Sequence, residues 1–375
     1  MTFLAGDLGG TKTLLALCDG GGEPLCTREF DSRGHDSMEE MVGKFLSDPE
    51  VKSHPQPVAA GLGVAGPIVE VARSDGSGYA QCASITNLGY QIDAQRLQQT
   101  FSLQQVRLAN DFYALSLYAA RLVSRLEAQG RTDGTMSVPA NVADRVALIS
   151  GNADAAPVCA DPQGNICVLG AGTGMGQAVV VRGRALRAAG VVPQGQPVIV
   201  ATEGGHSDFA PRDEVEVDLL RFLRARHPDH VSVERVICGG GLYSLYEFFA
   251  AREPQRVSPK VARELEAAGA SAPSVVSAHG LAGTDPLCQL ALERFVMLYG
   301  AEAGNLALKS MATGGVVIGG GVARKILPRL QDGRFREHFQ RKGRFAALCV
   351  RMPIYVLLDP LAGLRGAAYL VCDLS

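Results

Sequence analysis

The chain has 375 residues, enough for two domains of ordinary size. Apolar residues make up 47% and charged residues 20%, the balance of a globular protein with a buried core. Lys+Arg 36 against Asp+Glu 38 leaves a net charge of −2, so no basic excess points to a nucleic-acid or membrane-surface partner.

The predicted elements begin at once. Phe3-Leu4-Ala5-Gly6-Asp7-Leu8 is a β-rich run that ends at Gly9-Gly10-Thr11, and the apolar run Leu14-Leu15-Ala16-Leu17 follows directly, so this reads as a hairpin. Residues 59–68 add a buried strand and a glycine turn. The strand-like run 106–109 ends at Asn110-Asp111, and 112–126 is a helix with Phe112, Leu115, Ala119, Leu122 and Leu126 on one face. Residues 128–165 read as a long loop or irregular insert. A second hairpin runs from Ile166-Cys167-Val168-Leu169 through Gly170-Ala171-Gly172-Thr173-Gly174-Met175-Gly176 into Ala178-Val179-Val180-Val181. Residues 214–226 form a helix capped by Asp213, 287–308 a longer one, and 364–372 the last. Between these, Gly315-Val316-Val317-Ile318 ends at Gly319-Gly320-Gly321. The repeated pattern of strand and glycine turn implies a duplicated α/β architecture.

No basic n-region opens the chain, so no signal peptide is expected, and no apolar run reaches bilayer length. The nine cysteines include no C-x-x-C pair, so neither a disulfide framework nor a zinc ribbon is expected. A reducing compartment, the cytoplasm, fits this usage.

Backbone N–H groups bind phosphate where no Cβ blocks close approach, which glycine turns allow. Two such turns, 7–11 and 170–176, end strands in separate halves, and together they point to a polyphosphate. Thr11 and Thr173 add hydroxyl donors and Lys12 a positive charge. The pattern G-x-x-x-x-G-K-[ST] is absent. Met175 occupies the place where a dinucleotide fingerprint needs glycine, and a strand-like run follows rather than a helix, which disfavours an NAD oxidoreductase.

Asn110 or Asp111 caps the helix that follows; alternatively Asp111 is a general base and Asn110 a hydroxyl ligand. Glu203-Gly204-Gly205-His206 joins an acid and an imidazole through a turn that a ligand can approach closely, a good set for vicinal hydroxyls. Glu234 follows Ser232, a candidate N-cap, and an acid in a first helical turn suits the dipole.

Taken together, these motifs resemble the bacterial glucokinase family, within the sugar kinase–Hsp70–actin superfamily. The resemblance rests on Gly6-Asp7-Leu8-Gly9-Gly10-Thr11, Asn110-Asp111-Phe112, the 169–176 turn, residues 203–211, Ser232-Val233-Glu234-Arg235-Val236 and Ile318-Gly319-Gly320-Gly321-Val322, all in family order. Lys342-Gly343-Arg344-Phe345 and Pro353-Ile354-Tyr355-Val356 also look like the family.

The resemblance implies a two-domain α/β, actin-like ATPase (ribonuclease H-like) fold. A smaller domain would comprise 1–121 plus 353–375 and a larger one 122–352, with the sugar in the cleft between them. It implies transfer of the γ-phosphoryl group of MgATP to the C6 hydroxyl of glucose, with Asp111 as base. Asn110, Glu203, His206 and Glu234 would hydrogen-bond the sugar with it. Gly6, Asp7, Leu8, Gly9, Gly10, Thr11 and Lys12, with Gly172, Thr173, Gly174, Gly320 and Gly321, would form the nucleotide loops. Asp7 would stand near magnesium, through water, and the protein would be a homodimer. Lys12 stands where many relatives carry Asn, Gly239-Gly240-Gly241-Leu242 departs from a common Gly-Pro-Gly-Leu run, and the cysteine-rich zinc motif of the related ROK kinases is missing. Another hexose (fructose, mannose, an N-acetylhexosamine), another donor (polyphosphate, ADP) or a non-catalytic sugar sensor stays open on this evidence.

Overall fold

A computed structural model describes residues 1–72, 78–85, 88–129, 131–132, 135–136, 138–149, 160–190 and 197–372. The chain divides into two compact units, Met1–Leu122 with Pro360–Ser375, and Val123–Asp359.

The first unit is built on a five-stranded sheet. Strands β1 (Thr2–Leu8), β2 (Lys12–Cys18), β3 (Pro24–Asp31), β4 (Pro57–Val64) and β8 (Gln105–Asn110) lie in the order β3-β2-β1-β4-β8. The tight turn at 9–11 makes β1 and β2 antiparallel, whereas β4 and β8 arrive by crossovers and run parallel to β1. Strands β5 (Ile68–Ala72), β6 (Tyr79–Ser84) and β7 (Gln91–Asp93) form a separate three-stranded sheet. Helix Met38–Ser47 buries Met38, Met41, Val42 and Phe45, the 3.6-residue stripe that packs into the core with Leu4, Leu15 and Leu62. The C-terminal helix Ala362–Tyr369 packs on β1 and β4.

The second unit repeats this wiring. A short ribbon, β9 (Arg131–Thr132) with β10 (Thr135–Met136), precedes a sheet ordered β11-β16-β15-β12-β13-β14. Its strands are β11 (Val146–Leu148), β12 (Ile166–Ala171), β13 (Met175–Val181), β14 (Val198–Thr202), β15 (Gly315–Gly319) and β16 (Ile354–Leu357). Here β12 and β13 form the hairpin, β14 extends it antiparallel, and β15 and β16 run parallel to β12. The antiparallel triple and the two parallel strands match β3-β2-β1-β4-β8, so the duplicated architecture is present in both sheets. Helix Pro286–Ser310 is apolar nearly all round, and Leu292, Phe295, Tyr299 and Ala303 bury it in the core of this unit.

Two expectations need correction. Residues 353–359 do not return to the first unit, because β16 pairs with β15 and β11; the return starts at Pro360. The 128–165 stretch is not wholly irregular, since β11 adds an edge strand to the second sheet; its residues 130, 133–134, 137 and 150–159 lie outside the described set. Among the described residues, no helix is long and apolar enough to cross a membrane.

Candidate active site

In the first unit, strand β1 delivers Asp7 and strand β8 delivers Asn110 and Asp111, two strands from it in the same sheet. Asn110 is the cap: its Oδ1 accepts from the N–H of Phe112 at 3.0 Å and of Tyr113 at 3.4 Å. Asp111 is the first residue of helix Asp111–Gln129, and its Oδ1 accepts from Phe112 N–H at 2.8 Å. Burial pushes the Asp111 carboxyl above its ordinary range, partly offset by that N–H. Burial, and then the Asp111 charge, push Asp7 up to about 6. Two carboxylates therefore share one partly dry region of this unit. The C-terminal helix starts beside them: a Cβ on Gly363 would lie 2.6 Å from Asp7 Oδ2.

The turn after Asp7 is stiffened from behind. Gly9 N–H closes it onto the Lys12 carbonyl at 3.0 Å. Ser32 donates its N–H to Thr11 O at 2.9 Å and its hydroxyl to Gly9 O at 2.8 Å. With those carbonyls taken, the turn offers donors: Gly10 N–H, Thr11 N–H and the exposed Thr11 side chain. Gly6 and Leu8 belong instead to the sheet, where Leu8 is fully buried and its carbonyl accepts from Ala65 at 2.9 Å. Lys12 forms an exposed ion pair with Glu29 across the β2–β3 ladder.

In the second unit, Met175 gathers three sequence motifs into one place. Its N–H donates to Glu234 Oε2 at 2.7 Å. Its carbonyl lies against Gly205 so closely that a Cβ there would fall far inside contact distance. The backbone then stitches 203–209 to 231–234: Val233 N–H donates to Ser207 O at 2.9 Å, and Phe209 N–H to Val231 O at 2.9 Å. Glu203 and His206 stand on the resulting short turn Gly204–His206, with side chains 92% and 63% exposed and their nearest charged atoms 4.0 Å apart. That spacing is too long for a hydrogen bond, so both groups are available to a ligand. Ser232 makes no capping bond, and Glu234 lies in a single 3-10 turn, Val233–Arg235, rather than in a longer helix.

The turn at 172–174 closes on itself, Gly172 N–H to Gly174 O at 2.8 Å, and the Gly172 carbonyl takes Gly239 N–H at 2.9 Å. Gly320 opens helix Gly320–Lys325 with φ +87°, against the Ala171 carbonyl, a place only glycine fits. Tyr299 ties the two glycine turns together: its oxygen accepts from Ala171 N–H at 3.1 Å, and it donates to Gly319 O at 3.5 Å.

A family model described as Glucokinase matches residues 4–373. A glucokinase of Synechocystis sp. is 35% identical over 98% of this chain and 97% of its own. The crystal structure of glucokinase from an Antarctic psychrotroph is 28% identical, covers 99% of each chain and superposes with TM-score 0.74. A ROK family glucokinase from Streptomyces griseus, solved in complex with glucose and AMPPNP, shares the fold at 18% identity, TM-score 0.58 and 99% coverage of each chain.

The chain belongs to the glucokinase family. It is an ATP-dependent sugar kinase of the actin-like fold that phosphorylates glucose, and neither another hexose nor a sensor role is favoured. The structure brings Glu203, His206 and Glu234 together in one unit, and Asp7, Asn110 and Asp111 in the other. Sequence reading missed Ser32, Met175 and Tyr299 as organisers, because they act through backbone contacts with residues up to 128 positions away. Among the described residues, no group of three or more metal-ligating side chains occurs.

Proposed function

We propose that Asp111 is the general base that takes the proton of the glucose C6 hydroxyl as that oxygen attacks the γ-phosphorus of ATP. The observation that carries this is the position of Asp111: at a helix start, its carboxyl raised by burial, with Asn110 doing the capping. A base whose conjugate acid lies nearer neutral pH shares a proton in the transition state more effectively. Asn110, Glu203, His206 and Glu234 accept and donate to the remaining hydroxyls, and Glu234 keeps Oε1 for the sugar while Met175 holds Oε2. Gly9, Gly10, Thr11, Gly172, Thr173, Gly174, Gly320 and Gly321 contact the nucleotide; Lys12 is left out of this set because its ammonium pairs with Glu29 at the surface.

Asp7 fits a magnesium ion held through water, since an oxygen donor suits a hard cation and positive charge would relieve its repulsion with Asp111. When bound, the ion neutralises charge on the phosphates. The eight described cysteines are free thiols, which supports a cytoplasmic setting. A homodimer rests on the family resemblance alone.

The test is Asp111→Asn in a coupled assay with glucose. The expected fall in kcat is about 10²–10⁴-fold, with glucose binding retained by calorimetry. Near-normal kcat would remove Asp111 from the base role.

A further inference from the structure

Behind the exposed Glu203–His206 turn runs a chain of buried and half-buried polar groups that phosphoryl transfer alone does not require. Gln177, on β13, is 4% exposed, and its Nε2 donates to Glu302 Oε1 at 2.9 Å. Glu302, on helix Pro286–Ser310, is 7% exposed, and its Oε2 accepts from Asn305 Nδ2 at 3.0 Å. Asn305 Oδ1 accepts from Lys342 Nζ at 2.6 Å, and the same ammonium donates to Ala301 O at 2.8 Å. At the other end, Gln177 Oε1 lies directly against Gly204, leaving no room for a Cβ. The Gln177 carbonyl accepts from Thr202 Oγ1 at 3.1 Å, and that oxygen in turn accepts from Gly204 N–H at 3.2 Å.

Burying the Glu302 carboxylate in a core, with the Lys342 ammonium half-buried at the far end of the chain, costs more than an apolar filling of the same volume, so the chain is poorly explained as a source of stability. A fully connected buried network does fix geometry. The links from Gln177 to Lys342 each have a directed donor and acceptor, and at its other end the Gln177 amide packs against the backbone of the turn that presents Glu203 and His206. It also gives a place to Lys342, the first residue of the Lys342-Gly343-Arg344-Phe345 motif, which the phosphate and sugar sites leave unused.

We propose that Gln177, Glu302, Asn305 and Lys342 form a positioning relay that holds the Glu203–His206 turn in its glucose-binding shape. The proposal rests on the reading that this turn binds the sugar. Gln177 is the contact element, because its amide separates Gly204 from the Glu302 carboxylate. Glu302 orients that amide, and Asn305 bridges Lys342 and Glu302 through its own amide. None of the four touches the reacting atoms.

The relay predicts a split between substrates. Gln177→Glu sets two carboxylates face to face and should raise the glucose KM about tenfold, the loss of roughly one well-made hydrogen bond to a charged group. The ATP KM should change less than about twofold, within the effect expected when no contact is lost. Gln177→Met, uncharged and of similar volume, gives the same direction should the charged variant fail to fold. The double variant Gln177→Glu/Glu302→Gln reverses the donor and acceptor, keeps the bond to Asn305, and should return the glucose KM to within about threefold of the parent.

Glu203→Gln is measured beside them. A raised glucose KM in Glu203→Gln with none in Gln177→Met overturns the relay and leaves the sugar turn standing. No change in Glu203→Gln removes the sugar turn and the relay with it. Parallel rises in the glucose and ATP KM, or no recovery in the folded double variant, assign the chain to general stability and overturn the proposal.

Discussion

Asp7→Asn should make the ligand-free protein more stable at neutral pH while destroying its purpose. The Asp7 carboxyl titrates at about 6 in the folded state against an ordinary value of 3.8, by burial first and the Asp111 charge second. Between those values the native state holds a proton that the unfolded chain has released. Stability from this group is therefore complete below about pH 4, falls as pH rises, and reaches its full deficit above about pH 6. The interval from 3.8 to about 6, at 1.36 kcal/mol per pH unit, makes that deficit about 3 kcal/mol. Asparagine cannot ionise, so the variant should exceed the parent by up to about 3 kcal/mol at pH 7 and match it near pH 4. The first unit, 122 plus 16 residues, makes 138, for which 1 kcal/mol corresponds to a Tm change of a few degrees, about 2–4 °C. The assay is urea and thermal unfolding by far-ultraviolet circular dichroism from pH 4 to 8, since the chain has no tryptophan. Taking variant minus parent at each pH cancels the titrating groups that do not interact with Asp7. A flat difference, or one that widens towards acid, refutes the reasoning. The same variant should lose glucose phosphorylation, a case of stability held below its optimum by a functional charge.

Gly205→Ala forces a Cβ into the Met175 carbonyl, a backbone atom with little freedom to yield. The turn must move, at about 1–3 kcal/mol, and the glucose KM should rise tenfold or more with a smaller effect on the ATP KM; unchanged glucose affinity would show that the turn does not need this approach. Lys12→Met removes an exposed ammonium already paired with Glu29. The ATP KM should change by less than about twofold, and a tenfold rise would mean that Lys12 leaves Glu29 to reach the phosphates.

Much of the fold was legible in the chain because its signals are local. The hairpins at Gly9-Gly10-Thr11 and Gly172-Thr173-Gly174 come from β-rich runs around a glycine turn, and the helix at Asp213 from a cap and a 3.6-residue stripe. The domain return was misplaced because Pro353-Ile354-Tyr355-Val356 carries no mark of which sheet it joins. Parallel pairing to β15 decides that, through hydrogen bonds between segments some forty positions apart. Ser232 likewise offered a capping residue in the right place, but its neighbours make only one 3-10 turn, held by the bridge to Asp208.

The candidate site divides in the same way. Residue type and order along the chain named Asp7, Asn110, Asp111, Glu203, His206 and Glu234, since hydroxyl ligands, a base and glycine turns are chemical identities that sequence states directly. Their electrostatics and support were decided only by folding. Burial and then the Asp111 charge raise Asp7, the latter because β1 and β8 flank β4, and Glu234 meets the glycine turn because Met175 turns its N–H towards it. Gln177 and Glu302, 125 residues apart, become partners only when β13 and the long helix share a core. Local chemistry is written residue by residue; distances across a sheet and through a core are set by packing, which no single stretch of the chain contains.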